Sequence, residues 1–209
     1  MEQQFQYYAF ISYKREDEKW AKWLQDRLRW YKLPSKLCRQ ITRLPKKVWP
    51  VFRDNTDLDS GRLEENIRHE LERSHYLIVI CSPEAARSPW VGKEVKYFAR
   101  LHGADKIIPF VVSGIPYSND IETECIHEQI KAISQEELLA INVREEGIGS
   151  FAMKKKRAFI RVVARLLDIK FNTLWQPYER ILRIRKWSTG IGVVFILIRF
   201  IHLVGLLPD

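Results

Sequence analysis

Apolar residues are distributed along this chain in two alternating patterns. Short unbroken runs, rich in aromatic and β-branched side chains, stand at Tyr7–Tyr13 (YYAFISY), Val48–Phe52, Tyr76–Cys81 (YLIVIC) and Lys106–Val112 (KIIPFVV). Runs of this kind predict strands covered on both faces. Between them the apolar positions open out to helical spacing: Trp20, Trp23, Leu24, Leu28 and Tyr31, then Leu63, Ile67 and Leu71, then the stretch VGKEVKYFARL beginning at Val91. Phe159, Ile160, Val163, Leu166 and Leu167 mark the strongest amphipathic helix. Asp17 and Glu18 favour the start of the first helix, and Pro34 ends it. A fifth strand is predicted at about Leu138–Val143, while 33–47 reads as a basic connection and 113–135 as irregular.

Strands that alternate with helices imply right-handed crossovers and a parallel sheet. The fold class is therefore α/β, a flavodoxin-like open parallel five-stranded sheet with helices on both faces. Ligands of such sheets bind beyond the carboxyl ends of the strands, so the loops after Tyr13, Phe52 and Cys81 should share one rim. Residues 1–168 form this domain, and 169–187 read as a basic helical connector. Residues 188–209 read as a single transmembrane helix with a short tail. Its apolar core, Gly190–Leu207, is 18 residues, about 27 Å as a helix, marginally enough to cross a bilayer. Arg199 and His202 interrupt it.

Composition narrows the picture further. A chain of 209 residues with 46% hydrophobic and 29% charged side chains is neither disordered nor collagen-like. The excess of 35 Lys and Arg over 26 Asp and Glu, +9 in all, is concentrated toward the C-terminus, in Lys154–Arg157, Arg161, Arg165, Arg180, Arg183, Arg185 and Lys186. That placement, just before an apolar run, favours a membrane surface over nucleic acid and keeps the folded domain on the cytosolic side. Cys38, Cys81 and Cys125 are too far apart for a zinc ribbon or a disulfide framework. The N-terminus, MEQQFQYYAF, has no basic region followed by an apolar core, so no cleavable secretion signal is expected.

Several familiar chemistries lack their signatures. GIGSFA (147–152) has dinucleotide-loop spacing but follows the last strand instead of the first, and a flexible turn explains it. His69–Glu70 starts like a zinc-protease helix, yet Arg73 stands where the second histidine belongs, so no metal is expected. No phosphate-binding P-loop and no hydrolase nucleophile elbow occurs. Two clusters remain. Lys14, Arg15, Asp54, Asp57 and Asp59 should meet at the rim beyond the first two strands. Trp90 and Glu94, four apart, should share one face of a helix's first turns.

The ordered segments FISYKRED (10–17), FRDNTDLDSG (52–61) and SPWVGKE (88–94) resemble the motifs of bacterial Toll/interleukin-1 receptor (TIR) domains in order and approximate spacing. The resemblance covers Tyr7 to about Leu167, and LWQPYERILRIRK is similar to the basic region that follows such domains. Many members cleave the nicotinamide–ribose bond of NAD+. The resemblance then implies Glu94 as the catalytic carboxylate, with Lys14, Arg15, Asp59 and Trp90 at the substrate and Arg53, Asp54 and Gly61 in a loop used for assembly. Ser60 stands where many members have proline.

That chemistry suits the residue types. The nicotinamide of NAD+ is already cationic and leaves without a general acid, so one carboxylate can stabilise the developing oxocarbenium charge while basic residues hold pyrophosphate. NAD+ would be substrate and no cofactor is needed. The resemblance also implies self-association through TIR domains and a role in bacterial immune signalling such as antiphage defence. The expectation is thus a membrane-tethered NAD+ glycohydrolase or cyclase activated by self-association. The alternative is a non-catalytic TIR adaptor acting by homotypic assembly.

Overall fold

The structure, a computed structural model, describes residues 5–42, 44–53, 61–133, 139–144 and 150–176, with only the backbone for 61–64. Asp54, Asp57, Asp59 and the apolar stretch Gly190–Leu207 lie outside the described residues. The chain divides into two compact units, Met1–Asp168 and Ile169–Asp209.

The first unit runs β1 (Tyr7–Ser12), α1 (Glu18–Trp30), α2 (Ser35–Gln40), β2 (Val51–Arg53), α3 (Gly61–Glu72), β3 (Ser74–Cys81), α4 (Pro83–Ala86) and α5 (Pro89–His102). It continues with β4 (Ile107–Val111), α6 (Glu128–Ile133), β5 (Ile141–Asn142) and α7 (Phe151–Leu166). All five strands are parallel, in the order β2-β1-β3-β4-β5. This is the flavodoxin-like order expected from the sequence. The chain leaves β1 outward to β2 and returns across it to β3, so the switch point lies between β1 and β3.

Alternation along the strands sends side chains to two helical layers. Phe10, Leu77, Val79, Ile107 and Val111 join Leu71, Val91, Val95 and Phe98 in one core beneath α3 and α5. On the opposite face Trp23 of α1 stacks on Phe110 of β4, with ring centroids 6.4 Å apart, and meets Phe159 of α7 edge-on. Lys155 lays its ammonium over Trp20 and Trp23 at 4.5 and 4.3 Å. The face of α7 expected to be apolar is buried at Phe159, Ile160, Val163, Leu166 and Leu167.

Four local expectations need correction. The second strand starts at Val51, not Val48, because Pro50 has no N–H to donate to the ladder; its carbonyl accepts from Tyr8 N–H at 2.8 Å and pairing follows. The basic connection after Pro34 contains α2, a six-residue helix that buries Leu37. The segment read as irregular contains α6, whose six residues are too few to show a period. The fifth strand is two residues at the sheet edge, with Val143 N–H continuing to Val111 O at 3.0 Å.

In the second unit residues 171–176 are helical, and Phe171 stacks on Trp175 with centroids 5.6 Å apart. Among the described residues no helix is long and apolar enough to cross a membrane.

Phe98 is fully buried on the core-facing side of α5. Phe98→Ala should lower the unfolding free energy by about 3–5 kcal/mol, the cost of a large aromatic deletion in a close-packed core. Urea titration of the purified protein checks this through the midpoint at unchanged slope.

Candidate functional site

Parallel pairing on both sides fixes β1 in place, and Ala9, Phe10 and Ile11 are fully buried. Ser12 follows them as the last residue of the strand and is 1% exposed. A hydroxyl in that position needs an acceptor. Ser12 Oγ donates to Glu94 Oε2 at 2.5 Å, bringing the carboxylate of α5 to the carboxyl end of β1, at the switch point.

The N-terminal end of α5 is anchored to hold that carboxylate. Ser88 is the N-cap, its Oγ accepting from Val91 N–H at 3.5 Å, and Pro89 occupies the first turn without wasting a donor. His127 Nε2 lies 3.2 Å from Ser88 O, while Gln129 N–H donates to Nδ1 at 3.0 Å. Both contacts are met when the ring is neutral with its hydrogen on Nε2. Gly92 permits this latch: a Cβ there would stand 2.5 Å from His127 Cε1.

Glu94 is half-buried and Trp90 is 41% exposed. As their spacing predicts, both line one cleft of about 250 Å³ between α3 and α5, walled by Ile67, Leu71 and Tyr97. Lys93 places its ammonium 4.7 Å from the Trp90 ring centroid.

Lys14 and Arg15 follow Ser12 on the same rim, Lys14 half-buried and Arg15 exposed. Their turn is pinned by Asp17, whose N–H donates to Lys14 O at 2.7 Å. The Asp17 carboxylate is only 8% exposed and accepts from Ser82 Oγ at 2.5 Å, just past the end of β3. Ser82 Oγ accepts in turn from Ala85 N–H at 3.0 Å, capping α4. Burial pushes the Asp17 carboxyl up from its ordinary range, against the downward pull of the Ser82 hydrogen bond.

Arg53, at the end of β2, turns inward and leaves 8% of its side chain exposed. Its Nε donates to Gln25 Oε1 at 3.2 Å, and its Nη1 donates to Tyr13 Oη at 3.1 Å and Glu18 Oε1 at 3.2 Å. It thereby ties β2 to α1 and to the residue after β1. Gly61 opens α3, while Asp54 and Asp59 lie outside the described residues. The structure thus gathers Ser12, Trp90 and Glu94 around one site, with Lys14 and Arg15 next along the chain. Among the described residues no three His, Cys, Asp or Glu side chains come together as a metal site.

Sequence reasoning missed Ser12, Ser82 and His127. Ser12 did carry a signal, since it is the one serine in an otherwise apolar and aromatic run, just ahead of Tyr13. Ser82, ahead of Pro83, carried the signal of a helix cap but none of its bond to Asp17, 65 residues away, and His127 carried none, its partner Ser88 being 39 residues away.

Together these features define an open α/β protein with a carboxylate-bearing helix at its ligand-binding rim. Residues 9–146, more than half of the chain, match the TIR domain family, and the chain belongs to that family. It is similar to the protein named NAD(+) hydrolase ApTIR from Actinoplanes sp., with 36% identity over 110 residues, 52% of this chain and 14% of that protein. The match therefore spans a small part of that relative. Among solved structures it is similar to the TIR domains of the activated Roq1 resistosome directly recognizing the pathogen effector XopQ. The TM-score is 0.48 at 14% identity, covering 74% of this chain and 98% of that one.

His127 gives the site a pH dependence of defined sign. Burial pushes its pKa down, as it does those of His75 and His102. Below about pH 6.5 the unfolded chain therefore binds these protons more readily than the native one, and stability is lost as pH falls through that window. Asp17, which burial pushes up from its ordinary 3.8, pulls the opposite way against the three histidines. Urea midpoints should thus fall as pH is lowered from 7.5 to 5.5, and His127→Gln should flatten part of the decline.

Proposed function

We propose that this protein cleaves the nicotinamide–ribose bond of NAD+, with Glu94 as the catalytic carboxylate. The observation that carries this reading is the Glu94 carboxylate held at the carboxyl end of β1 by Ser12 Oγ at 2.5 Å, in one cleft with Trp90. The likeness to a protein named as an NAD+ hydrolase supports it.

Nicotinamide departs with the electron pair of the glycosidic bond, which neutralises its ring nitrogen, so the step requires no proton donor. Positive charge develops at the ribose C1′ and ring oxygen. A fixed carboxylate beside that ring stabilises it, as in glycoside cleavage. Water then adds at C1′ and releases a proton, giving ADP-ribose and nicotinamide; attack by the adenine of the same molecule gives a cyclic product instead. In this reading Lys14 and Arg15 hold pyrophosphate, Asp59 faces the substrate from the loop after β2, and Trp90 offers a flat face to a ring of the dinucleotide. Arg53 and Gly61, expected in a loop, are the last residue of β2 and the first of α3; in this reading self-association uses the segment they bracket, with Asp54.

The finer reading is a domain tethered on the cytosolic side of a membrane through Gly190–Leu207, active when clustered, in bacterial immune signalling such as antiphage defence. The basic residues Arg180–Lys186 just ahead of the apolar run support the tether and its orientation. No cofactor or nucleic acid enters the scheme.

Purified wild type, clustered artificially, should consume NAD+ and release nicotinamide by chromatography. Glu94→Ala should reduce this by at least about 10²-fold in a protein still folded at assay temperature, with melting lowered by a few degrees as Ser12 loses its acceptor, and equal turnover would remove the assignment. Absence of turnover in clustered wild type would favour the adaptor alternative. Deleting 188–209 should move the protein from the membrane to the soluble fraction, and continued membrane association would shift the tether to the basic connector.

A further inference from the structure

We propose that Ser12 is the positioning residue of the site, fixing the Glu94 carboxylate for the chemistry through the bond from its Oγ to Oε2. The inference rests on the reading of Glu94 as the catalytic carboxylate and adds to it the group that holds that carboxylate in place.

Both ends of the bond are rigidly mounted. Ser12 ends a strand that is paired on both sides, in register with Val79 of β3, and three fully buried residues precede it. Glu94 sits on a helix seated in the core through Val91, Val95 and Phe98 and latched at its first turn by His127 against Ser88 and Gly92. The 2.5 Å separation is at the short end for a hydroxyl donating to a carboxylate. Ser12, at 1% exposure, has no access to a ligand and serves neither as nucleophile nor as substrate contact. A buried donor on a strand paired on both sides thereby orients a carboxylate on a helix seated in the core. A carboxylate already oriented toward the developing charge needs no reorganisation during the reaction.

A hydrogen bond to the charged form of an acid also favours that form. Removing the donor should thus act in two ways that general loosening of the core does not reproduce. The orientation term should lower kcat by about tenfold to a hundredfold with KM changed by less than about threefold, since the interaction matters chiefly in the transition state. The charge term should move the acid limb of the kcat/KM profile to higher pH.

The experiment measures NAD+ turnover against pH for clustered wild type, Ser12→Ala, Glu94→Gln and the double variant. Glutamate-labelled carboxyl NMR, with Glu94 assigned from its loss in Glu94→Gln, follows the titration directly and without substrate. Three results are expected for Ser12→Ala: a lower kcat with retained KM, an acid limb shifted upward, and a Glu94 titration displaced to higher pH. The double variant should be no slower than Glu94→Gln alone. Should Ser12→Ala melt below assay temperature, Ser12→Cys, of similar volume but a weak donor, takes its place under the same criteria. Wild-type turnover, pH profile and carboxyl titration retained in Ser12→Ala overturn the positioning role alone. Absence of turnover in wild type, or full turnover in Glu94→Gln, overturns the assignment of Glu94 itself, and the positioning role with it.

Discussion

The parallel pairing of β1 with β3 is the constraint from which the site follows. β2 occupies the other side of β1, so the chain after β1 and the chain after β3 must diverge to different parts of the rim. A crevice between them is unavoidable. Each strand approaches it through an apolar run that excludes water, and each presents a serine at or just beyond its end, Ser12 and Ser82. Those two hydroxyls are buried, and each is given to a carboxylate, Glu94 and Asp17 respectively. The topology creates the opening, and the serines determine which acids stand around it.

The energetics explain why such an arrangement stays put. A buried hydroxyl without an acceptor carries a desolvation penalty of about 1–3 kcal/mol, so each serine holds its acid more firmly than the modest net worth of one hydrogen bond implies. The same logic works at Arg53, whose guanidinium satisfies Gln25, Tyr13 and Glu18 together while nearly enclosed. Breaking the contacts to Gln25 and Tyr13 would leave part-buried groups unpaired, whereas the Glu18 side chain is 55% exposed and water can take over its contact. The rim is therefore built around buried donors, Ser12, Ser82 and Arg53, whose partners satisfy them, mounted on strands with buried apolar neighbours.

How much of this could be read from the chain depended on range. β1, β3 and β4 announce themselves because a strand buried on both faces must be apolar throughout, and Trp90 and Glu94 fall on one face by helical geometry alone. Short elements escaped: α2 and α6 complete fewer than two turns each, and β5 is a sheet edge with little apolar content. Long-range polar pairs escaped for a different reason. Asp17 reads as a favourable charge at a helix start, which is a local role, whereas its actual partner Ser82 lies 65 residues away. The His127 latch is equally silent, because nothing near Gly92 in the sequence indicates that an imidazole from the residue just ahead of α6 will lie against it. Periodicity records burial well and pairing hardly at all.

The two serine-bound carboxylates also differ in a way that separates scaffold from chemistry. Asp17 is 8% exposed, closed in beneath the turn that carries Lys14 and Arg15, and burial favours its neutral form. It can order that turn but cannot reach a ligand. Glu94 sits only half-buried, one helical turn from the exposed Trp90, and lines a cleft that opens to solvent. Held by a serine as Asp17 is, yet accessible, it has the fixed mounting and the solvent access that the proposed role requires. The structure thus uses one device twice. Beneath the rim it supports the turn that carries the basic residues, and at the cleft it mounts a carboxylate where solvent reaches it.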